Sequence, residues 1–524
     1  MKILVLQLAR LGDVFQTWPT LRSLSRAGCE VHLLVRPRFK AAAKGLNAIH
    51  QVHEFKTDEV LGPVLSQGKP GLVGSMAALD QLLSTLDAHK FDRIINLSFS
   101  PLSSWITYDL EMRSFLRGQA VMSVGYTRHA DGSLAIPDDA SAYFFAQVGS
   151  RSSAFPGEAL NRIPLPRLFS TIASAAVPSA ELKTEDWSGP EKEVRLPEAL
   201  IPRGSFVAIH IGASTAEKTL DAASWSEIIQ RLHGALGADF VLLGSVEERA
   251  KSEEIYRRVL ETGVHGGISA RHIANAVGCT TVEELFPILK RASVLIAGDS
   301  ALIHVASLVG TKVLNLSSRS VSHWETGPLS SGSRIVVYGG AAPTADVVVQ
   351  EAVAMINGDS KTAADRVVTG PLEEISNITR DAYSDFLWSF VSGLYMGTEF
   401  AVPNDTKFAH AVEQWLEVSD VELSQLDALA TIFGRAEDYE GKRESAKTIA
   451  SVLDRVADVG NLIVDSEPRL APLARWLSTE KSRLGPQSQI DLVQKYREIN
   501  IQLRTVLARM KEAGEAHDRF ELGL

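Results

Sequence analysis

Ala297-Gly298-Asp299-Ser300-Ala301-Leu302-Ile303-His304-Val305-Ala306 is the stretch that decides the fold. The apolar run Ala292 to Ile296 before it reads as a buried strand. After it, Leu302, Val305, Ala306 and Val309 recur at helical spacing. Gly298, Asp299 and Ser300 therefore fall on a strand-to-helix turn, where free backbone N–H groups and the helix dipole favour an anion. Val313 to Leu316 reads as the next strand. Strand, turn, helix, strand is the unit of an open parallel sheet, with a phosphate-sized site at its carboxyl edge. Taken alone, Asp299 and Ser300 read more often as plain helix caps and His304 as a satisfied core or cap histidine. A second turn of this kind elsewhere tips the balance toward a binding site.

That second turn lies at the start of the chain. Ile3 to Leu8 is an apolar run, Ala9-Arg10-Leu11-Gly12 turns, and Asp13 opens a helix carrying Val14, Trp18, Leu21 and Leu24 on one side. Pro19 is expected to kink or break this helix near Trp18. Gly28 stops it, and Glu30 to Val35 is the next strand. The turn has a single glycine where a dinucleotide fingerprint needs three, and Arg36 stands where an acidic ribose ligand would follow, which argues against NAD or FAD. Further strands are expected at His50–Phe55 and Arg93–Leu97, with a helix at about Met76–Leu86.

Ser179 to Arg203, rich in Pro, Glu and Ser, reads as a linker. A second α/β unit begins at Phe206 to Ile211. It continues through a small-residue turn from Gly212 to Lys218, a helix at Trp225–Leu236, a strand at Phe240–Leu243 and a helix at Thr281–Leu289. From about residue 360 strands vanish. Helices are expected at Asp381–Met396, Lys407–Val418, Leu423–Phe433, Arg443–Val459, Ala471–Glu480 and Ser488–Lys511. In the last, Leu492, Tyr496, Ile499, Leu503, Val506 and Met510 form a short heptad seam. It serves either packing within its own bundle or association with a partner.

Size and composition agree with this division. A chain of 524 residues suggests three domains. Its 45% apolar and 22% charged residues suit a soluble protein. Lys plus Arg number 53 against 63 Asp plus Glu, a formal charge of −10, so nothing advertises nucleic acid. Cys29 and Cys279 cannot make a disulfide framework and fit a reducing compartment. The apolar start is too short for a signal peptide, and no apolar run is long enough to span a bilayer, so a cytoplasmic location is expected. There is no Asp-x-Asp and no His/Cys grouping with zinc spacing, so neither a metal site nor a cofactor is expected.

The chemistry-bearing residues are Asp13, Lys218, Asp299, Ser300 and His304, on strand ends facing one another across a cleft. Lys218 can neutralise a diphosphate, and the Ser300 turn supplies backbone donors. A carboxylate at position 13 can take a proton from an alcohol. A base facing a diphosphate site is the layout for sugar transfer from a nucleotide donor.

Arg10-Leu11-Gly12-Asp13-Val14-Phe15-Gln16-Thr17-Trp18-Pro19-Thr20-Leu21 resembles the N-terminal motif of glycosyltransferase family 9, the ADP-heptose:lipopolysaccharide heptosyltransferases and their relatives. His210-Ile211-Gly212-Ala213-Ser214 through Lys218 and Trp225 is similar to the second motif, and Gly298 through Ala306 to the donor-site signature. The resemblance covers roughly residues 1–355. It implies a GT-B fold, two Rossmann-like domains facing across a cleft, here with an all-α C-terminal extension. The expected divisions are an acceptor domain at 1–180, a linker at 181–204, a nucleotide-sugar domain at 205–358 and a helical extension at 359–524. It also implies inverting, metal-independent transfer, with Asp13 as base and Lys218 as the catalytic lysine meeting the donor phosphates. Ser214 falls on a neighbouring hydroxyl contact, Glu247 on an acid holding the donor ribose, and Gly12, Asp299, Ser300, Ala301 and His304 on donor-site positions.

The chain departs from the family in three places. Ala301 replaces a usual glycine, Pro101-Leu102-Ser103-Ser104 carries no basic residue where the acceptor side commonly has one, and the helical tail is additional. The expected partners are a nucleotide-sugar, ADP-heptose in the first instance, and a glycan, glycolipid or protein acceptor. Arg36, Arg38, Lys40 and Lys44 read as a solvated face, or as a peripheral contact with an anionic acceptor or the inner face of the membrane. The tail offers self-association or a partner protein. The rival reading is an inactive GT-B scaffold working through that tail, and a third is a nucleotide-sugar epimerase.

Overall fold

The structure, a computed structural model, describes residues 1–62, 71–149, 161–178, 182, 187–212, 219–261, 268–318, 320–339, 342–358, 366–369, 388–395, 402–403, 406–434 and 439–521. Strands β1 (Lys2–Leu6), β2 (Glu30–Val35), β3 (Gln51–Glu54), β4 (Arg93–Asn96) and β5 (Met122–Val124) form one sheet in the order β3-β2-β1-β4-β5. A short antiparallel pair, β6 (Thr127–Arg128) and β7 (Leu134–Ala135), follows. Strands β8 (Phe206–His210), β9 (Asp239–Leu243), β10 (Ile273–Asn275), β11 (Val294–Gly298), β12 (Val313–Ser318), β13 (Arg334–Tyr338) and β14 (Arg366–Thr369) form a second sheet in the order β10-β9-β8-β11-β12-β13-β14. Its neighbours all pair in parallel.

These are two doubly wound sheets. Strand order reverses between β1 and β4 in the first and between β8 and β11 in the second, and ligands bind beyond the carboxyl ends of strands at such switch points. Central strands covered on both faces must be apolar throughout. Ile3 to Leu6 on β1 and Val294 to Ala297 on β11 are accordingly fully buried.

The packing falls into two compact units. The first comprises Met1–Ser98, Asp109–Ser123 and Ile163–Glu373 and holds both sheets; the second comprises Phe99–Tyr108, Val124–Arg162 and Glu374–Leu524. Segments 99–108 and 124–162, which sequence order puts beside the first sheet, thus pack in the unit that holds the C-terminal helices. In the second unit Arg483 donates to Asp139 Oδ1 at 2.8 Å and to the Ile136 carbonyl at 3.2 Å.

Several expectations need correction. Helix α1 (Leu11–Arg26) runs through Pro19 without a break. Pro19 leaves the Phe15 carbonyl without its helical donor, but Phe15, Trp18 and Leu21 around it are buried, and that packing holds the turn. Strands do not end at residue 360, because β14 pairs with β13. The two helices expected at 407–418 and 423–433 are one, Thr406–Gly434. Nothing between them breaks a helix, and buried Ser419 donates to Asn500 Oδ1 at 2.9 Å. The heptad seam on helix Gln489–Glu521 packs inside its own unit, with Ile499, Leu503 and Met510 in a core shared with Phe408, Trp415 and Leu473. Although the sequence has no zinc-type spacing, the fold gathers His32, His53 and His89, whose ligand atoms all lie within 4.8 Å of one another. No helix among the described residues is long and apolar enough to cross a membrane.

Candidate functional site

The turn after β1 places Asp13 in the first turn of α1. Its Oδ2 accepts from the Arg10 N–H at 2.9 Å, a reciprocal cap that fixes the carboxylate. Its Oδ1 receives a long bond, 3.5 Å, from Gln16 Nε2. Burial pushes the carboxyl above the usual aspartate range, against the lowering effect of the Arg10 hydrogen bond and charge. The result is a carboxylate with spare acceptor capacity and raised basicity.

In the second sheet, β11 delivers Gly298 and Asp299 to a turn whose Ser300 caps helix Ala301–Leu308. Ser300 has extended backbone, yet its side chain makes no capping bond, and its Oγ is buried without a partner. Asp299 serves as a brace: Oδ1 accepts from Asn315 Nδ2 at 3.2 Å and Oδ2 from the Ser318 N–H at 2.9 Å. That ties the turn to the end of β12. His304 is buried in the first turns of the helix, and desolvation lowers its pKa to about 4, so the ring is neutral.

These two turns meet. A Cβ placed on Gly12 would lie 3.1 Å from His304 Cδ2 and 3.7 Å from the Ala301 Cα. The start of α1 therefore abuts the helix opened by Ser300, and Asp13 stands beside that contact. An aromatic cluster holds the approach. Trp18 stacks on Phe286 of helix Leu285–Arg291 with ring centroids 5.3 Å apart, and Phe15 meets the same ring edge-on at 5.8 Å. The linker closes over it: Arg22 donates to Glu191 Oε1 at 2.9 Å and to the Ser188 carbonyl at 2.7 Å. Lys44 pairs with Glu283 at 3.0 Å, and Lys40 with Glu54, so part of the basic run is used in local ion pairs.

Of the remaining nominated residues, Ser214 and Lys218 lie outside the described residues, and Glu247 is exposed on the short turn Val246–Glu248. The adjacent Glu248 is the one that turns inward. Its Oε2 accepts from the Ser245 N–H at 2.6 Å, and a Cβ on Gly212 would lie 1.7 Å from its Oε1, so a side chain there would displace the carboxylate. Lys251 Nζ donates to the Ile211 carbonyl at 3.0 Å and to Thr219 Oγ1 at 2.6 Å. A small pocket at the carboxyl ends of β8, β11, β12 and β13 is lined by His210, Gly212, Trp225, Gly298 and Tyr338, among others. His210 Nδ1 and Trp225 Nε1 are buried without partners.

Sequence reading missed Glu248, Lys251 and the pocket nitrogens. One signal was available: a glycine directly after a buried strand, with two adjacent acids opening the turn after the neighbouring strand. In the second unit, Arg128 Nε donates to Ser104 Oγ at 2.9 Å and its guanidinium covers Trp105.

Residues 176–354 match the model of glycosyltransferase family 9 (heptosyltransferase). Among curated proteins none matches the sequence. Among solved structures, the chain is similar to E. coli ADP-heptose lps heptosyltransferase II, at 14% identity over 68% of this chain and 99% of that one, with a TM-score of 0.47. It is also similar to a family 9 glycosyl transferase from Veillonella parvula, at 15% identity over 68% and 97%, TM-score 0.48. The E. coli heptosyltransferase WaaC with ADP gives 14% identity over 68% and 100%, TM-score 0.46. Residues 176–354, the segment that carries the second sheet as far as β13, thus match glycosyltransferase family 9, the heptosyltransferase family.

Proposed function

We propose that the chain transfers heptose, or a closely related sugar, from a nucleotide-diphosphate donor of the ADP-heptose type to a hydroxyl of a cell-envelope glycan or related acceptor. Transfer proceeds with inversion and without a divalent metal. The observation that supports this reading is the close approach of Gly12 to His304, which brings the turn that carries Asp13 against the helix that Ser300 opens. The family's own description, heptosyltransferase, supports the choice of sugar.

In this reaction Asp13 Oδ1 accepts the proton of the acceptor hydroxyl as that oxygen bonds to the anomeric carbon. The carbon–oxygen bond to the diphosphate breaks on the opposite face, which inverts the centre. Charge growing on the diphosphate is received by the helix N-terminus, by Ser300 Oγ and, in this proposal, by Lys218 and Ser214. Among the described residues no group of three His, Cys, Asp or Glu ligand atoms gathers at Asp13 or Ser300, and the brace on Asp299 occupies both its oxygens. In this proposal the leaving group is served by fixed donors. A cell-envelope acceptor puts the enzyme at the inner face of the cytoplasmic membrane as a peripheral protein.

The test is a nucleotide-release assay with a panel of nucleotide-sugars, run with and without a membrane-glycan extract and with EDTA. Acceptor-dependent release of ADP that EDTA leaves unchanged is the expected result. A strict need for Mg²⁺ would overturn the metal-independent mechanism, and nucleotide release without any acceptor would favour epimerisation. Failure to bind any nucleotide-sugar by calorimetry would leave a scaffold.

A further inference from the structure

Outside the cleft, the cluster richest in ligating atoms sits on one face of the first sheet. Glu30 and His32 stand two residues apart on β2 and so share a face. β3 lies in parallel register with His32 opposite Gln51, which puts His53 on that same face. His32 and His53 are 0% and 6% exposed. His89, in the turn between helix Gly71–Asp87 and β4, completes a trio of ligand atoms all within 4.8 Å of one another. Phe91 walls the cluster, edge-on to His32 at 5.0 Å and stacked on His89 at 5.6 Å.

Two features separate this trio from a chance grouping of rings. His32 Nε2 lies 3.0 Å from Glu30 Oε1, so its N–H is donated to the carboxylate and its Nδ1 carries the lone pair. An imidazole held in this way by a carboxylate is the usual outer support of a metal-binding histidine. That Nδ1 in turn accepts a hydrogen bond from His53 Nε2 at 3.0 Å, and the donated proton moves to His53 Nδ1 when the ring takes a metal. Two ligands of a tetrahedral ion bound at about 2.0 Å are separated by about 3.3 Å, so a small spreading of these rings admits the ion. Burial disfavours the charged form of both rings, which leaves them as neutral donors. The neighbouring basic side chains lie away from these nitrogens. Lys2 Nζ and His50 Nε2 approach Glu30 Oε1 at 3.6 and 3.9 Å, on the carboxylate side.

We propose that His32, His53 and His89 bind a zinc ion through three imidazole nitrogens, with Glu30 holding His32 in the ligating tautomer and water in the fourth position. Three imidazoles suit Zn²⁺ and reject Mg²⁺ and Ca²⁺, which need oxygen. The ion ties β2 and β3 to the chain segment entering β4. It lies on a sheet face and not on the strand ends that carry Asp13, so it is a structural clip and takes no part in sugar transfer. The proposal is independent of the donor and acceptor assigned above.

The experiment strips the full-length chain with chelator, then titrates Zn²⁺ by calorimetry and thermal melting, and Co²⁺ by visible absorption. One equivalent of Zn²⁺ binds, the melting temperature rises with free Zn²⁺, and Co²⁺ gives the intense band of a four-coordinate ion. His53→Ala and His89→Ala each abolish binding, and Glu30→Gln weakens it about 10- to 100-fold with stoichiometry unchanged. If His53→Ala does not fold, His89→Ala on its half-buried turn gives the same reading. His50→Ala leaves binding intact. Absence of a Zn²⁺-dependent rise in melting temperature and of the Co²⁺ band would overturn the proposal, as would full binding by a folded His89→Ala variant. Loss of binding in His50→Ala with retention in His89→Ala would shift the ligands to Glu30, His32 and His50 and overturn this set.

Discussion

Gly12 and His304 are packed so closely that a methyl group on the glycine would stand 3.1 Å from the imidazole Cδ2 and 3.3 Å from Nε2. The contact joins the turn bearing the proposed base to the helix bearing the proposed diphosphate site. Gly12→Ala needs a displacement of a few tenths of an ångström, and Gly12→Val a larger one. Because a misplacement of about 1 Å can cost about 10²-fold in rate, kcat is expected to fall modestly in Gly12→Ala and by about 10²-fold in Gly12→Val. His304→Ala opens the space. In a double-mutant cycle, the Gly12→Ala penalty should shrink in the His304→Ala background. Equal penalties in both backgrounds would mean that the two residues are not coupled.

Asp13→Asn keeps an oxygen for the Arg10 N–H and removes the base. Turnover is expected to fall by about 10²-fold or more with little change in donor KM. Stability should move the other way. A carboxyl whose folded pKa is raised above its unfolded value makes its charged form a cost at neutral pH, and that cost disappears as pH falls through the raised value. The Asn variant should therefore melt higher than the parent at neutral pH, and the gap should close in acid. The acid limb of kcat/KM in the parent should lie above the ordinary carboxylate range. A parent and variant with the same melting temperature at every pH would show that Asp13 is not desolvated.

Buried histidines contribute to the acid sensitivity of the two-sheet unit. His304 and His210 are both lowered by burial to about 4, from 6.5. In the unfolded chain they take up protons first, so the stability from keeping them neutral is fully present above the unfolded value and is lost as pH falls from there to the folded one. Each is linked to at most roughly 3 kcal/mol across that window. His304→Gln and His210→Asn should flatten the dependence of urea midpoint on pH between these limits. An unchanged slope would place the acid sensitivity elsewhere.

The sequence revealed features that depend on neighbours in the chain. β1, β2, β8, β11 and β12 are continuous apolar runs ending in glycine-bearing or polar turns, and those turns hold Asp13 and Ser300. What it concealed depends on pairing across the fold. Glu248 and not Glu247 turns inward, where Gly212 and Gly244, just beyond β8 and β9, leave room for a carboxylate. The histidine trio comes from β2, β3 and a distant turn, so no spacing announces it. Propensity, being local, predicts a kink or a break at Pro19, whereas the packing that keeps the helix continuous includes Phe286. β14 follows the point where the apolar pattern fades, and register with β13 defines it.

Arg334 and Glu351 form an ion pair at 2.7 Å with side chains 2% and 6% exposed, fastening β13 to helix Ala345–Ile356. Removing one member strands the other charge in the interior. Glu351→Ala is expected to lower stability by about 3–5 kcal/mol, and the double change Arg334→Met with Glu351→Leu to recover most of it. Chemical denaturation of the three proteins decides this. A small loss in the single variant would show that water reaches the pair.

Ser300 separates stability from function most cleanly. Its hydroxyl is buried without a partner and its side chain makes no capping bond, although serine at a helix start normally caps. A group kept in that state gives the folded chain nothing in return for its desolvation. It makes sense if a ligand oxygen completes its hydrogen bond. Ser300→Ala should therefore leave the melting temperature unchanged or slightly raised, while donor KM rises by about 10-fold, the worth of one hydrogen bond to a charged group. The acceptor KM should not move. A variant that loses 1 kcal/mol or more of stability, with donor KM intact, would show that Ser300 is an ordinary cap and would remove it from the diphosphate site.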